Sequence, residues 1–377
     1  MSKLNRKRTI LAKIESVYGT DATPSGSDAM LVRNLNVTPI DAETVSRDLI
    51  RPYLGNSDTL LAQTSVKLDF EIELAGAGIP GAAPAWAPLL KACGFSQTLN
   101  TAAVTITRSS STATATLAAH GFAVGDTVTI SGASESEYNG DQRITAVTTN
   151  TFDFEVSGTP TTPATGSPVV GRTAVYTPVS SSFDSLSIYF ALDGIRQKIL
   201  GARGSVEFGI NVKQIPVMKF SFIGLYSALT DTSDPTPDFS SFQIPKVANT
   251  SNTTSFSLHS YSGYLESMSL NIANQVEYVT RIGYEAVNII DRKPAGTFVM
   301  ELPTIAAKDY FTIAKNGTTG AMTITHGTAS GNIVKLDAPR VSIQNPSYQD
   351  SQGVAMISVP FVATPDSGND ELTITVK

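Results

Sequence analysis

Asp69, Glu71 and Glu73 are the residues whose types and spacing come nearest to a reactive constellation. Paired carboxylates do general acid and base work when they converge on one bond from different directions. Here they alternate with Leu68, Phe70 and Ile72 along one extended run, so all three project in parallel from one face of a strand, and a solvated outer face follows. The histidines, His120, His259 and His326, stand far apart and lack the paired spacing of metal ligands. Cys93 is the single cysteine; it lies on the apolar side of a short helical pattern and reads as a small buried hydrophobe. No phosphate-binding glycine loop, dinucleotide fingerprint or nucleophile elbow occurs. No catalytic residue, cofactor site or metal site is expected, and the chain does not read as an enzyme.

The elements that hold these residues are mostly strands. Val66, Leu68, Phe70, Ile72 and Leu74 form the apolar face opposite Lys67, Asp69, Glu71 and Glu73, which predicts a half-buried strand. Gly76, Gly78, Pro80 and Gly81 break it, Pro84 is placed to open a helix, and Trp86, Leu89, Leu90 and Cys93 follow at helical spacing before Gly94. The 377 residues are 41% hydrophobic and 16% charged, enough for two or three domains with real cores. No apolar run has the length of a membrane span, and the basic start (Lys3, Arg6, Lys7, Arg8) is not followed by the apolar block of a signal peptide, so synthesis in a cytoplasm is expected. A net charge of −6 argues against gripping a phosphate backbone, which takes clustered Lys and Arg.

In chain order, residues 1–30 read as an N-terminal arm with little core of its own, and Leu31 to Ile40 as a strand. Asp41 to Thr64 is polar and long for a connection, hence a mobile loop or an extended hairpin with a contact role. Between residues 100 and 171 the composition turns to Ser, Thr, Ala and Gly, with short strands and Gly-Asp or Asn-Gly turns. That stretch reads as an inserted small β-domain facing outward, with six carboxylates against Arg108 and Arg143 and a return linker at Thr162 to Pro168. Its segment HGFAVGDTVTISGA, with YNG downstream, resembles small β-barrel inserts of virion proteins. Strand grammar resumes with a hairpin at Asp193-Gly194, and residues 231–255 read as a linker. The second half then echoes the first. Leu35-Asn36-Val37 recurs as Leu270-Asn271-Ile272, and Glu43 with Arg47 as Glu277 with Arg281. Residues 31–99 with 172–230, and residues 256–377, therefore read as two tandem β-sandwich or barrel units, each flanked by a short helix.

Four blocks carry a resemblance across nearly the whole chain outside the insert: RKRTILAKIESVYGTDATPSGSDAMLVRNLNV, GIPGAAPAWAPLLKACGF, DGIRQKILGARGSVEFGINVKQIPVMKFSFIGLY and NGTTGAMTITHGTASGNIVKLDAP. Together they resemble the major tail tube proteins of long-tailed, siphovirus-type bacteriophages. The resemblance implies a structural virion protein of the tail whose β-sandwiches close into rings that stack into a tube for DNA. DNA would pass without specific binding, and tape measure, tail terminator and distal tail proteins would be its partners. It makes Asp69, Glu71, Glu73 and their partly matched successor Glu301 candidates to line the lumen. Glu43, Arg47, Glu277 and Arg281 become ring-stacking candidates, since Asp41 to Thr64 matches the family's stacking loop. Family rings commonly hold six sandwich domains, so two per chain imply a trimer with pseudo-sixfold symmetry over a hexamer. A virion surface decoration or adhesin-like β-protein is the alternative.

Overall fold

A computed structural model describes residues 3–377. Strands make up 54% of the chain and helix 5%, in two short helices, so the fold is mainly β. Every strand pairing is antiparallel, and the longest run of pairings forms one continuous sheet. Across that sheet the order is Arg33–Ser46, Thr59–Glu73, Val217–Tyr226, Ile195–Asn211, Leu265–Asn271, Ala295–Glu301, Val354–Ala363 and Ser347–Ser351. Alternation of apolar and polar residues marks the inner strands, as where Val66, Leu68, Phe70, Ile72 and Leu74 are buried and their neighbours face away from the core, whereas the edge strands Arg33–Ser46 and Ser347–Ser351 are mostly exposed. At the core face Phe70, Phe220 and Phe222 cluster with ring centroids 5.8–5.9 Å apart, and Phe298 stacks on Phe361 at 4.9 Å.

Helix α1 (Ala87–Ala92) begins later than Pro84 suggests; Pro88 occupies its first turn, where a missing N–H costs nothing, and Trp86 caps it. Trp86, Leu89, Leu90 and Cys93 are buried beneath it, and Gly94 ends it at φ +82°. Helix α2 (Tyr310–Asn316) starts where the Asp309 side chain accepts from the Thr312 N–H at 2.9 Å and stops at Gly317, φ +62°. The Asp193-Gly194 turn joins Leu186–Leu192 to Ile195–Asn211 with both residues at positive φ, 42° and 86°, as a tight hairpin of the favoured hand requires.

The N-terminal segment has more core than its composition suggests. Arg8–Ile14 is a strand paired with Leu186–Leu192, and Ile10, Leu11 and Ala12 are buried. The buried Glu15 carboxylate accepts from the hydroxyls of Ser185 (2.6 Å) and Ser187 (2.9 Å) and the N–H groups of Gly201 (2.8 Å) and Gly19 (2.7 Å). That fourfold satisfaction is what permits a buried charge. Gly19 is local to Glu15, but Ser185, Ser187 and Gly201 lie 170–186 residues away, so no short window of sequence shows the site.

Residues 104–170 contribute a second hydrophobic cluster around Ile106, Val128, Ile130, Tyr138, Phe152 and Phe154. It hangs on a two-stranded stem, Phe95–Ala103 against Gly166–Pro178, which runs from the main core into this cluster. The segment read as a return linker is ordered: Ala164 N–H donates to Ile106 O at 2.8 Å, and Thr165 is held by the Glu135 carboxylate.

Candidate functional site

The polar face of the main sheet gathers Asn34, Asp69, Glu71, Ser205, Glu207, Lys219, Ser221 and Asn271 around a shallow open depression. Register puts them there: Asp69 lies opposite Asn36 and Ser221, Glu71 opposite Arg33 and Lys219, and Glu207 opposite Lys219 and Asn271. The carboxylates are not equivalent. Glu71 accepts from Arg33 Nε and from Asn34 Nδ2, both at 2.9 Å, and Glu73 lies 3.9 Å from the same guanidinium. Glu207 pairs with Lys219 at 3.1 Å. Asp69 has neither an ion pair nor a side-chain hydrogen bond among the described residues. With Glu73 and the Asp41–Lys67 pair (2.6 Å) on the same face, the surface sets five carboxylates against Arg33, Lys67 and Lys219, an acidic balance that repels phosphate. Glu301 projects from the far end of Ala295–Glu301 on the same side of the sheet, apart from the other three.

Asp41 to Thr64 is the extended hairpin, not a mobile loop: Arg33–Ser46 and Thr59–Glu73 continue pairing up to Ser46 opposite Thr59. A second hairpin, Asn274–Arg281 with Tyr284–Arg292, points to the same pole, and Thr280 Oγ1 donates to Gln63 Oε1 at 3.0 Å between the two. Within the chain, among the described residues, Glu43 does not pair with Arg47 nor Glu277 with Arg281. Residues four apart on a strand share a face but stand about 13 Å apart. Arg47 instead meets Asp58 across the hairpin at 3.9 Å, with Arg51 closer to the same carboxylate at 2.9 Å, and Glu277 accepts from Gln275 Nε2. The sequence reading also missed the apolar tip. Leu49, Ile50, Tyr53 and Leu54 are exposed there, an arrangement with no use in an isolated chain. At the opposite pole an open groove is lined by Ile210, Val212, Phe256, Tyr264 and Leu265.

The histidines are structural. His120 Nε2 donates between Thr148 O and Thr151 O while its Nδ1 accepts from Phe122 N–H. His259 bonds Val341 O, and His326 bonds Lys246 O and the Thr253 hydroxyl; burial pushes both below the usual histidine range. Burial likewise raises the Cys93 thiol well above its ordinary value, which leaves it protonated and inert. No group of three or more His, Cys, Asp or Glu residues is placed to hold a metal among the described residues, and no helix there is long and apolar enough to cross a membrane.

These features define a β-rich structural protein with one acidic sheet face and unburied apolar hairpin tips. The family described as phage tail tube protein matches residues 140–363, more than half of the chain. The chain belongs to that family, which places it in the virion tail as a structural protein. No curated protein matches it. Among solved structures, a chain titled phage phi92 endosialidase aligns at 8% identity with a TM-score of 0.19, covering 81% of this chain and 54% of that one. This chain thus spans about half the length of that structure, and so loose a likeness carries no argument.

Proposed function

We propose that the protein polymerises into rings, that the rings stack into a tube, and that the acidic sheet face lines the channel through which phage DNA leaves the capsid. The observation that carries this is the continuous sheet whose polar face holds Asp69, Glu71, Glu73 and Glu207 in a chain of the tail tube family. DNA moving along such a wall meets repulsion with few cationic holds, so it slides without being gripped. Residues 31–99 with 172–230 form one tube unit and 256–377 the second, with 1–30 as arm, 231–255 as linker and 100–171 as the outward insert. Two units per chain make a ring of three chains with pseudo-sixfold symmetry and three protrusions. Tape measure, terminator and distal tail proteins cap and fill the tube.

Stacking uses the two poles. The Ile50 and Leu54 tips of one ring enter the groove between Ile210 and Phe256 of the next, and a head-to-tail contact of this kind generates an open filament. Electron microscopy of the purified protein tests the reading: rings or tubes with threefold symmetry and three outer knobs are expected. Monodisperse particles without a central hole overturn it.

A further inference from the structure

Inside one chain, the junction between the two units has a definite design. Glu207–Asn211 pairs with Ser267–Asn271, and Ile272 N–H donates to Val206 O at 3.0 Å. Above this seam the second hairpin lies on the first unit. Arg203 crosses to Val287 O (2.9 Å), with Phe183 O (2.8 Å) fixing its other nitrogen, and Asn274 Nδ2 donates to Cys93 O and Gly204 O. The hairpin residues so covered are buried: Ala286 at 1%, Val287 at 0% and Ile289 at 9% exposure.

The same parts recur at the two outer edges with no strand paired upon them among the described residues. Strand pairing sets the correspondence: Phe220 lies opposite Phe70 and Val206, as Phe361 lies opposite Gly296 and Ile343. Three residues on, Ile223 lies opposite Arg203, and Thr364 N–H donates to Arg340 O. Arg340 therefore occupies the place of Arg203, Ile343 that of Val206 and Gln344 that of Glu207. On the other flank Leu270, opposite Gly296, corresponds to Leu35, so Asn36 stands where Asn271 stands. Among the described residues no strand pairs with the outer edge of Arg33–Val37, where only the Arg8 side chain donates to Leu35 O at 3.3 Å, or with the chain from Ile343 to Ser351 on its outer side. The Arg340 side chain is exposed and its guanidinium has no partner there. The first-unit hairpin strand matching Ala286 and Val287 leaves Leu60 58% and Leu61 64% exposed, and Gly317, the counterpart of Gly94, has open space around it.

Resting on the ring reading above, we propose that a second copy of this chain closes the ring by repeating the internal junction. Ile343 and Gln344 of one chain pair with Val37 and Asn36 of the next. Arg340 reaches the next chain's Leu61–Gln63 backbone as Arg203 reaches Val287, and Leu60 and Leu61 are buried over the second unit. The seam is short, because Asn345 at φ +35° and Pro346, which has no N–H, bulge the edge before Ser347–Ser351. The hairpin contact and Arg340 therefore carry much of the closure.

The pair matching Glu207 and Asn271 is a non-hydrogen-bonded one, since Val206 and Ile272 next to it exchange the bond; its Cα atoms stand about 4.5 Å apart, within disulfide reach. Asn36→Cys with Gln344→Cys should convert most of the chain, on mild oxidation, into covalent multimers ending at three, while each single variant and the shifted pair Asn36→Cys with Ser342→Cys stay monomeric on denaturing gels. Rings seen by microscopy without that crosslink, or with the shifted crosslink instead, overturn the register and leave the ring reading standing. Absence of rings from the unaltered protein overturns both. Multimers ending at six support the register and remove the three-chain count. Arg340→Ala should abolish rings with an unchanged melting temperature of the dispersed chain, whereas Arg203→Ala should lower that temperature by several degrees. Normal rings from Arg340→Ala remove the anchoring role.

Discussion

Replacing Ile50 and Leu54 by aspartate should separate ring formation from tube formation. Both side chains are fully exposed in the single chain, so the substitutions take nothing from its fold, and surface changes of this kind stay within about 0.5 kcal/mol of neutral. On stacking, each side chain seated in the Ile210–Phe256 groove removes its apolar area from water, worth about 1.5–3 kcal/mol. Two such residues on each of three chains give a gross of about 9–18 kcal/mol per ring-on-ring contact. Ordering the 47–58 turn offsets part of this, since each fixed residue costs about 1–2 kcal/mol. Even a net loss of about 4 kcal/mol lowers ring-on-ring affinity by about a thousandfold. Sedimentation velocity with negative-stain microscopy reads the result: single rings at concentrations where the unaltered protein makes long tubes. Tubes of ordinary length from the double aspartate variant refute the tip-in-groove contact, and loss of rings as well moves the tip to the lateral interface.

Further outcomes follow from the same geometry. Changing Asp69, Glu71 and Glu73 to lysine should leave tubes intact, since the ion pair lost with Arg33 is half exposed and worth at most about 1 kcal/mol, but should make DNA bind the tubes with an affinity that falls steeply with salt; lysine tubes that ignore DNA remove the lumen assignment. Joining Asn100 to Thr173, which face each other across the stem, through a two-residue Asn-Gly turn should delete the insert and leave a soluble chain that still forms rings without knobs; an insoluble product counts against the insert as a separable domain. His259 and His326 have folded pKa values held below the unfolded value of 6.5, so the fold binds fewer protons than the unfolded chain and loses stability as pH falls below about 6.5; His259→Gln with His326→Gln should flatten the melting temperature between pH 7 and 5, and an unchanged slope excludes them as the cause. Cys93 should react with a thiol reagent only as the chain unfolds; a fast reaction in the native protein contradicts its burial.

What could be read beforehand was whatever depends on neighbours in the chain. Alternation marks Val66 to Leu74 as a half-buried strand whichever sheet it joins, and Asp193-Gly194 fixes its hairpin through two residues that tolerate positive φ. The acidic face was legible for the same reason, since Asp69, Glu71 and Glu73 share a side by periodicity alone. Their different environments were not. That Glu71 is held by Arg33 and Asn34 while Asp69 stands open depends on the register of Arg33–Ser46, which carries bulges between Arg33 and Asn36 and between Thr38 and Asp41. The partner of Arg47 was hidden for a related reason: a four-residue spacing that joins charges on a helix separates them on a strand, so Arg47 meets Asp58 across the hairpin. The N-terminal strand escaped notice because its partner, Leu186–Leu192, lies far along the chain, and RTILAKI carries cations at both ends that disguise a buried centre.

The correspondence between the halves is carried by strand register more than by residue identity. Leu35-Asn36-Val37 and Leu270-Asn271-Ile272 occupy matching positions on matching edges, and Arg203 and Arg340 sit in register as well. Elsewhere the two halves answer to different surroundings. Helix α1 is buried beneath the N-terminal strand and carries Leu89, Leu90 and Ala92, whereas α2 buries only Tyr310 and keeps a polar, capped start at Asp309. The second hairpin is buried on the first unit and uses Ala286, Val287 and Ile289; the first hairpin carries bulkier Leu60 and Leu61 in the open. A strand edge must be complementary to its partner in register, which constrains the residues there more than the outward faces of each unit. In the proposed ring, Asn36 with Asn271 and Arg340 with Arg203, where the halves agree, serve the lateral contacts. Ala286 and Val287, where they part from Leu60 and Leu61, are buried within the chain, whereas Leu60 and Leu61 stay exposed and, in the proposed ring, are left for a second copy.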